Sequence, residues 1–142
     1  MLGIYHDIEI KGAAKQIMEA VTTPEGFNSW WTLKCSGDIN VGALFNFYFS
    51  PDYDWYATVG EYMPDSKVTY AMSKTSPDWE GTRLSFAIIN KPDKTRLLRF
   101  EHTGWKALTD NYRVTSYCWV NYLNNLKRFI EEGISTPYTP KV

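Results

Sequence analysis

The chain has 142 residues, 22% of them charged, and a net charge of −1 at neutral pH. That length supports one domain with a real core. The near-zero charge gives no electrostatic case for nucleic acid or an anionic membrane surface, and the ordinary charged fraction argues against global disorder. Aromatics stand out at 16%, with 6 Trp, 10 Tyr and 7 Phe, enough to fill a core or to line an apolar site.

Residues 2–10 alternate, with Ile4, Ile8 and Ile10 set against His6, Asp7 and Glu9, which predicts a first strand ending near Gly12. This start lacks the apolar run of a signal peptide, and no later run approaches the roughly 18 residues of a membrane span, so a cytoplasmic protein is expected. Residues 13–21 are good helix formers with Ala14, Ile17, Met18 and Val21 on one side. Thr23 as N-cap and Pro24 at the first helical position open a second short helix, which turns Phe27, Trp30 and Trp31 inward.

From residue 33 the periodicity becomes that of strands. A weak strand over 33–39 is followed by 43–49, which places Phe45, Phe47 and Phe49 on one face. Strands are expected over 55–62, over 67–73 with Val68, Tyr70 and Met72 together, over 83–89 with Leu84, Phe86 and Ile88, and over 95–102 with Leu98, Phe100 and His102. The turns between them carry Ser-Pro-Asp, Met-Pro-Asp-Ser and, over 91–94, Lys-Pro-Asp-Lys. Residues 103–109 read as a connection.

Residues 110–132 form the only long segment free of Gly and Pro. Val114, Cys118 or Trp119, Tyr122 or Leu123, Leu126, Phe129 and Ile130 recur at helical spacing, with Asp110 as N-cap and Gly133 as the stop. Such a helix would be about 34 Å long, enough to cross a small domain. Residues 134–142, with two Pro, read as a loose tail after a domain spanning 1–133. Short turns make the strands antiparallel, and one long helix must cover the sheet's buried face. The fold class is therefore α+β, a curved antiparallel sheet wrapped around the terminal helix.

Motifs for catalysis are missing: GxSxG, HExxH and phosphate loops do not occur, and no cofactor or metal is called for. Cys35 and Cys118 form no CxxC, and Cys118 on the helix stripe reads as a buried reduced thiol. His102 is the interior candidate for proton transfer, although a lone histidine at a strand end is more often structural. Glu61 reads as a surface acid or as a partner of Arg83 or Arg99. Asp52, Asp54, Asp78 and Glu80 sit in turns beside Tyr53, Trp55 and Trp79 without the spacing of a calcium loop.

Four stretches together resemble the START-like, or SRPBCC, superfamily with its helix-grip fold, and more narrowly the branch named after the activator of the heat-shock-protein ATPase. They are residues 13–31 (AAKQIMEAVTTPEGFNSWW), 42–47 (GALFNF), 60–72 (GEYMPDSKVTYAM), and the pair 102–105 (HTGW) with 118–133 (CWVNYLNNLKRFIEEG). Cys118 stands where the family often has Gly, Asp65 where it has a second Pro, and Met72 where Trp is common. The resemblance implies a helix-grip fold and a family that includes lipid and hormone binders, polyketide cyclases and co-chaperones; fold alone does not choose among them. It suggests that the His102 imidazole helps to fix the turn into Thr103, Gly104 and Trp105.

A sheet gripping a helix leaves a gap wherever facing side chains do not fill it. The expected lining is Phe45, Phe47, Tyr70, Met72, Phe86 and Phe100 from the strands, and His102, Trp105, Trp119 and Leu123 around the helix. Trp31 stands at the mouth, and Tyr70 and His102 serve as hydrogen-bonding handles. A filled core is the alternative. The reading is a binder of a hydrophobic small molecule, for which exposed Trp55 and Trp79 could form a pocket lid, with two others open: a protein-interaction or homodimer module using Trp55 and Trp79, and a cyclase- or hydrolase-type enzyme using His102.

Overall fold

The computed structural model describes residues 2–93 and 95–139. In chain order the elements are β1 (Leu2–Ile10), α1 (Ala14–Ala20), α2 (Pro24–Phe27), β2 (Lys34–Ser36), β3 (Leu44–Ser50), β4 (Tyr53–Met63), β5 (Lys67–Lys74), β6 (Arg83–Asn90), β7 (Arg96–Trp105) and α3 (Asp110–Glu132). The seven strands form one antiparallel sheet in the order β1-β7-β6-β5-β4-β3-β2. Consecutive strands are neighbours throughout β2–β7, as their short turns require. The α1–α2 pair carries the chain from one edge strand, β1, to the other, β2.

The sheet's inner face is the one the alternation selected. Phe45, Phe47, Val68, Tyr70, Leu84, Phe86, Leu98 and Phe100 are all buried, and α3 lies against them through Trp119, Leu123, Leu126 and Ile130. Two short helices close one end of this grip. Thr23 caps α2 by accepting from the Gly26 N–H at 3.0 Å, with Pro24 next to it. Gly26 lets α2 press onto α1, since a Cβ there would sit 2.5 Å from the Glu19 carbonyl oxygen and 2.6 Å from the Ala20 Cα.

Several boundaries differ from the sequence reading. Thr109, not Asp110, caps α3: its backbone is extended and its hydroxyl accepts from the Tyr112 N–H at 3.1 Å. Asp110 instead occupies the first turn, where its carboxylate meets the positive end of the helix. The inward stripe runs Thr115, Trp119, Leu123, Leu126, Ile130, and Val114 is 58% exposed. Helical spacing allowed either line of residues; packing chose the one that seats the Trp119 indole in the sheet. At the other end Gly133 adopts φ 71° and donates to the Phe129 carbonyl, as a left-handed cap should.

The strand expected over 33–39 is only the three residues of β2, and β7 continues to Trp105 across the expected connection. The 91–94 turn is closed by the Lys91 N–H donating to Thr95 O at 3.0 Å; Lys94 itself and residues 140–142 lie outside the described residues. Of the tail, the Thr136 N–H donates to Ser29 O at 2.7 Å, and Tyr138 packs edge-on against Phe49. Among the described residues, no helix is long and apolar enough to cross a membrane.

Candidate functional site

Two ends of the grip have opposite fates. Where α1 and α2 cover it, rings interlock. Phe27 lies 5.1 Å from Phe47 and 5.7 Å from Tyr70, and Trp30 lies 6.1 Å from Phe86, mostly edge to face. The polar tips are used inside this packing: Trp30 Nε1 donates to Ala20 O at 2.9 Å and the Tyr70 hydroxyl to Val21 O at 2.6 Å. Burial pushes the Tyr70 hydroxyl pKa well up. Tyr70 is thus a tie to the end of α1, and not the free handle expected of it.

At the opposite end, along the N-terminal half of α3, the sheet and helix part to leave a cleft of about 570 Å³. Five rings that line it form a closed circuit: Trp31–Phe49 5.3 Å, Phe49–Trp55 5.2 Å, Trp55–Trp79 4.4 Å, Trp79–Trp119 5.9 Å and Trp119–Trp31 5.0 Å. The helix contributes Asn111, Val114, Thr115, Cys118 and Tyr122, the β3–β4 turn Ser50, Asp52 and Tyr53, the β5–β6 loop Ser76, and the tail Tyr138.

Of the residues expected to line a pocket, only Trp31 and Trp119 reach this cleft. Phe45, Phe47, Tyr70, Met72, Phe86, Phe100 and Leu123 are packed into the core behind or beside it. Trp105 is also buried, next to His102 at 4.8 Å. Phe49 was missed although the alternation that marks Phe45 and Phe47 extends to it, and Trp55, expected as an exposed lid or dimer contact, lines the cleft. Trp79 and Tyr138 lie outside strands, where no periodicity speaks. Trp79 was read as exposed; it is 6% exposed and turned inward.

His102 explains why. It is fully buried, and both ring nitrogens are engaged: Nδ1 accepts from Trp119 Nε1 at 3.1 Å, and Nε2 lies 2.8 Å from Thr82 Oγ1. Thr82 in turn donates to Trp79 O at 2.6 Å. An accepting Nδ1 leaves the proton on Nε2, so the chain of donors runs from Trp119 through His102 and Thr82 to Trp79. Burial lowers the His102 pKa to about 3, which keeps the ring neutral. The imidazole therefore joins α3 to the β5–β6 loop and holds two cleft walls. Residues 103–105 continue β7 in place of the expected turn, and the engaged ring offers no free nitrogen to a substrate.

The remaining candidates also resolve. Cys118 is half-buried at the cleft, and the deeply buried thiol is Cys35, whose pKa burial, and then the Glu25 charge, push up to about 12. Glu61 faces Lys67 at 3.7 Å in solvent, and Arg99 pairs with Asp7. Asp54 accepts from Asn46, and Asp78 accepts from the Thr109 hydroxyl, fastening the β5–β6 loop to the start of α3. Among the described residues no group of three or more His, Cys, Asp and Glu gathers to hold a metal ion.

Known proteins agree with this architecture. The solution structure of the Aha1 dimer from Colwellia psychrerythraea matches with a TM-score of 0.85 and 30% identity, over 94% of this chain and 98% of that one. An AHSA1-like protein from Aeromonas hydrophila matches at 0.74 and 17% identity, over 93% and 94% of the two chains. CalU16 from Micromonospora echinospora matches at 0.73 and 17%, over 92% and 77%. These last two speak for the fold alone. No curated protein sequence matches the chain. The family model for activator of Hsp90 ATPase homolog 1-like proteins matches residues 12–131, and with that span of the fold accounted for, the chain belongs to the AHSA1-like family of the SRPBCC superfamily.

Proposed function

We propose that the protein binds a small apolar or aromatic molecule in the cleft at the open end of the grip. The observation that carries this is a cleft of about 570 Å³ lined mainly by aromatic side chains, within the size range typical of small-molecule sites. Tyr53, Trp55, Tyr122 and Tyr138 are the rings that keep accessible surface in the cleft, and the buried Trp31, Phe49, Trp79 and Trp119 form its floor. Phe45, Phe47, Tyr70, Met72, Phe86, Phe100, His102, Trp105 and Leu123 back that surface and keep it rigid. A preformed wall loses little side-chain freedom on binding, which favours affinity.

Titration with the neutral fluorophore N-phenyl-1-naphthylamine tests the reading. Saturable one-site binding is expected, and Cys118→Trp, which fills the cleft from α3, should abolish it while leaving the circular dichroism of the fold intact. Binding that survives this filled variant would place the site elsewhere.

A second reading is a homodimer. The Colwellia psychrerythraea relative is a dimer, and outside the cleft α3 turns Tyr117 and Val120 to solvent, 69% and 41% exposed. The Trp55 and Trp79 rings face the cleft, so they are not that surface. Equilibrium sedimentation of Tyr117→Glu against the parent checks it; an unchanged association state rejects this face as the contact.

A further inference from the structure

The cleft's chemistry narrows its guest further, on the premise that the cleft is the binding site. Its walls are rich in π-faces, and its one charged lining residue is Asp52, at the exposed rim in the β3–β4 turn. No Lys, Arg or His among the described residues lines it. The nearby Asp54 and Asp78 are committed to Asn46 and Thr109, whereas Asp52 has no side-chain hydrogen bond or ion pair within the described residues. The positive end of α3, which would otherwise favour an anion, is already answered by the Thr109 cap, by Asp110 in the first turn and by Asp78 behind the cap.

An anionic amphiphile would therefore enter a cleft with no counter-charge and a carboxylate at its rim. A cation meets the opposite. Four rings that line the cleft keep accessible surface, Tyr53, Trp55, Tyr122 and Tyr138, and ring quadrupoles attract a cation that comes within about 6 Å of a face. We infer that the cleft selects organic cations, quaternary or aromatic ammonium compounds, over neutral and anionic molecules of the same shape. The rings hold the desolvated alkylammonium head, and Asp52 supplies the long-range attraction that draws it in.

Three probes of nearly equal shape separate the possibilities: phenyltrimethylammonium, its carbon isostere tert-butylbenzene, and 4-tert-butylbenzoate. Each is titrated directly, following tryptophan emission. The cation should bind about fivefold more tightly than the neutral isostere, and the benzoate most weakly. Asp52→Asn, an exposed change that spares the fold, should weaken the cation about two- to threefold and leave tert-butylbenzene unchanged. Equal affinities for cation and isostere, or tighter binding of the benzoate, overturn the inference, as does an equal loss for both probes in Asp52→Asn. If N-phenyl-1-naphthylamine binds and the ammonium does not, only this inference falls; if neither binds, the cleft is not a ligand site at all.

Discussion

The closed and open ends of the grip are built from the same kind of residue and differ in what lies over them. Rings at the closed end have α1 and α2 to interlock with, and the Trp30 and Tyr70 tips find backbone carbonyls there. At the open end Trp31 and Trp119 still share that packing through Phe27, Trp30 and Phe100, whereas the ring neighbours of Phe49 and Trp55 are other cleft rings, among them the tail ring Tyr138. Aromatic abundance therefore does not decide between core and cavity. Helix cover does, because a ring leaves space only where no second layer reaches it.

The largest effect should come from the closed end. Phe27 has no solvent exposure and lies within ring contact of Trp30, Trp31, Phe45, Phe47 and Tyr70. Phe27→Ala is expected to cost about 3–5 kcal/mol, read as a shift in the urea midpoint. A loss below about 1 kcal/mol would mean that this end is as loosely filled as the other.

Next in size is an acid dependence placed at the boundary between the two ends. The folded pKa of His102 lies near 3 against an ordinary value of 6.5, so between these values the unfolded chain binds the extra proton. Stability should hold above about pH 6.5 and then fall with acidification by up to about 1.4 kcal/mol per pH unit. His102→Gln removes that component, so the stability gap between parent and variant should shrink as the pH drops from 6.5 towards 3. Parallel curves would show that the ring is not held neutral.

The smallest effect belongs to the open end. Tyr138→Ala removes a half-buried ring with one aromatic neighbour, Phe49, and should change stability by less than about 1 kcal/mol. It should instead alter the rate at which N-phenyl-1-naphthylamine enters. Unchanged entry together with a large loss of stability would make the tail a structural strap and erase the contrast.

The contrast also shows what sequence patterns can and cannot convey. Strand periodicity placed Phe45, Phe47, Tyr70, Phe86 and Phe100 on the inner face, and all are buried. It reports which side of a sheet a residue faces, with no information on how much lies above it, so the closed end was read as cavity. The helix stripe was legible to within one residue. The choice of Thr115 over Val114 depended on where Trp119 seats, which is a tertiary matter. Thr23, Pro24 and Gly133 were legible because capping is local chemistry. Trp79 was not, since its ring packs on His102 and Trp119, which come from distant parts of the chain.

That donor chain gives the protein a built-in gauge. The Nε2 proton of His102 is clasped by Thr82 and shut away from water, so it should exchange slowly and appear as a separate downfield line in a proton spectrum. Its relay ends at two indole-bearing residues that wall the cleft. A guest pressing between them would shift that line, signalling occupancy without any added label.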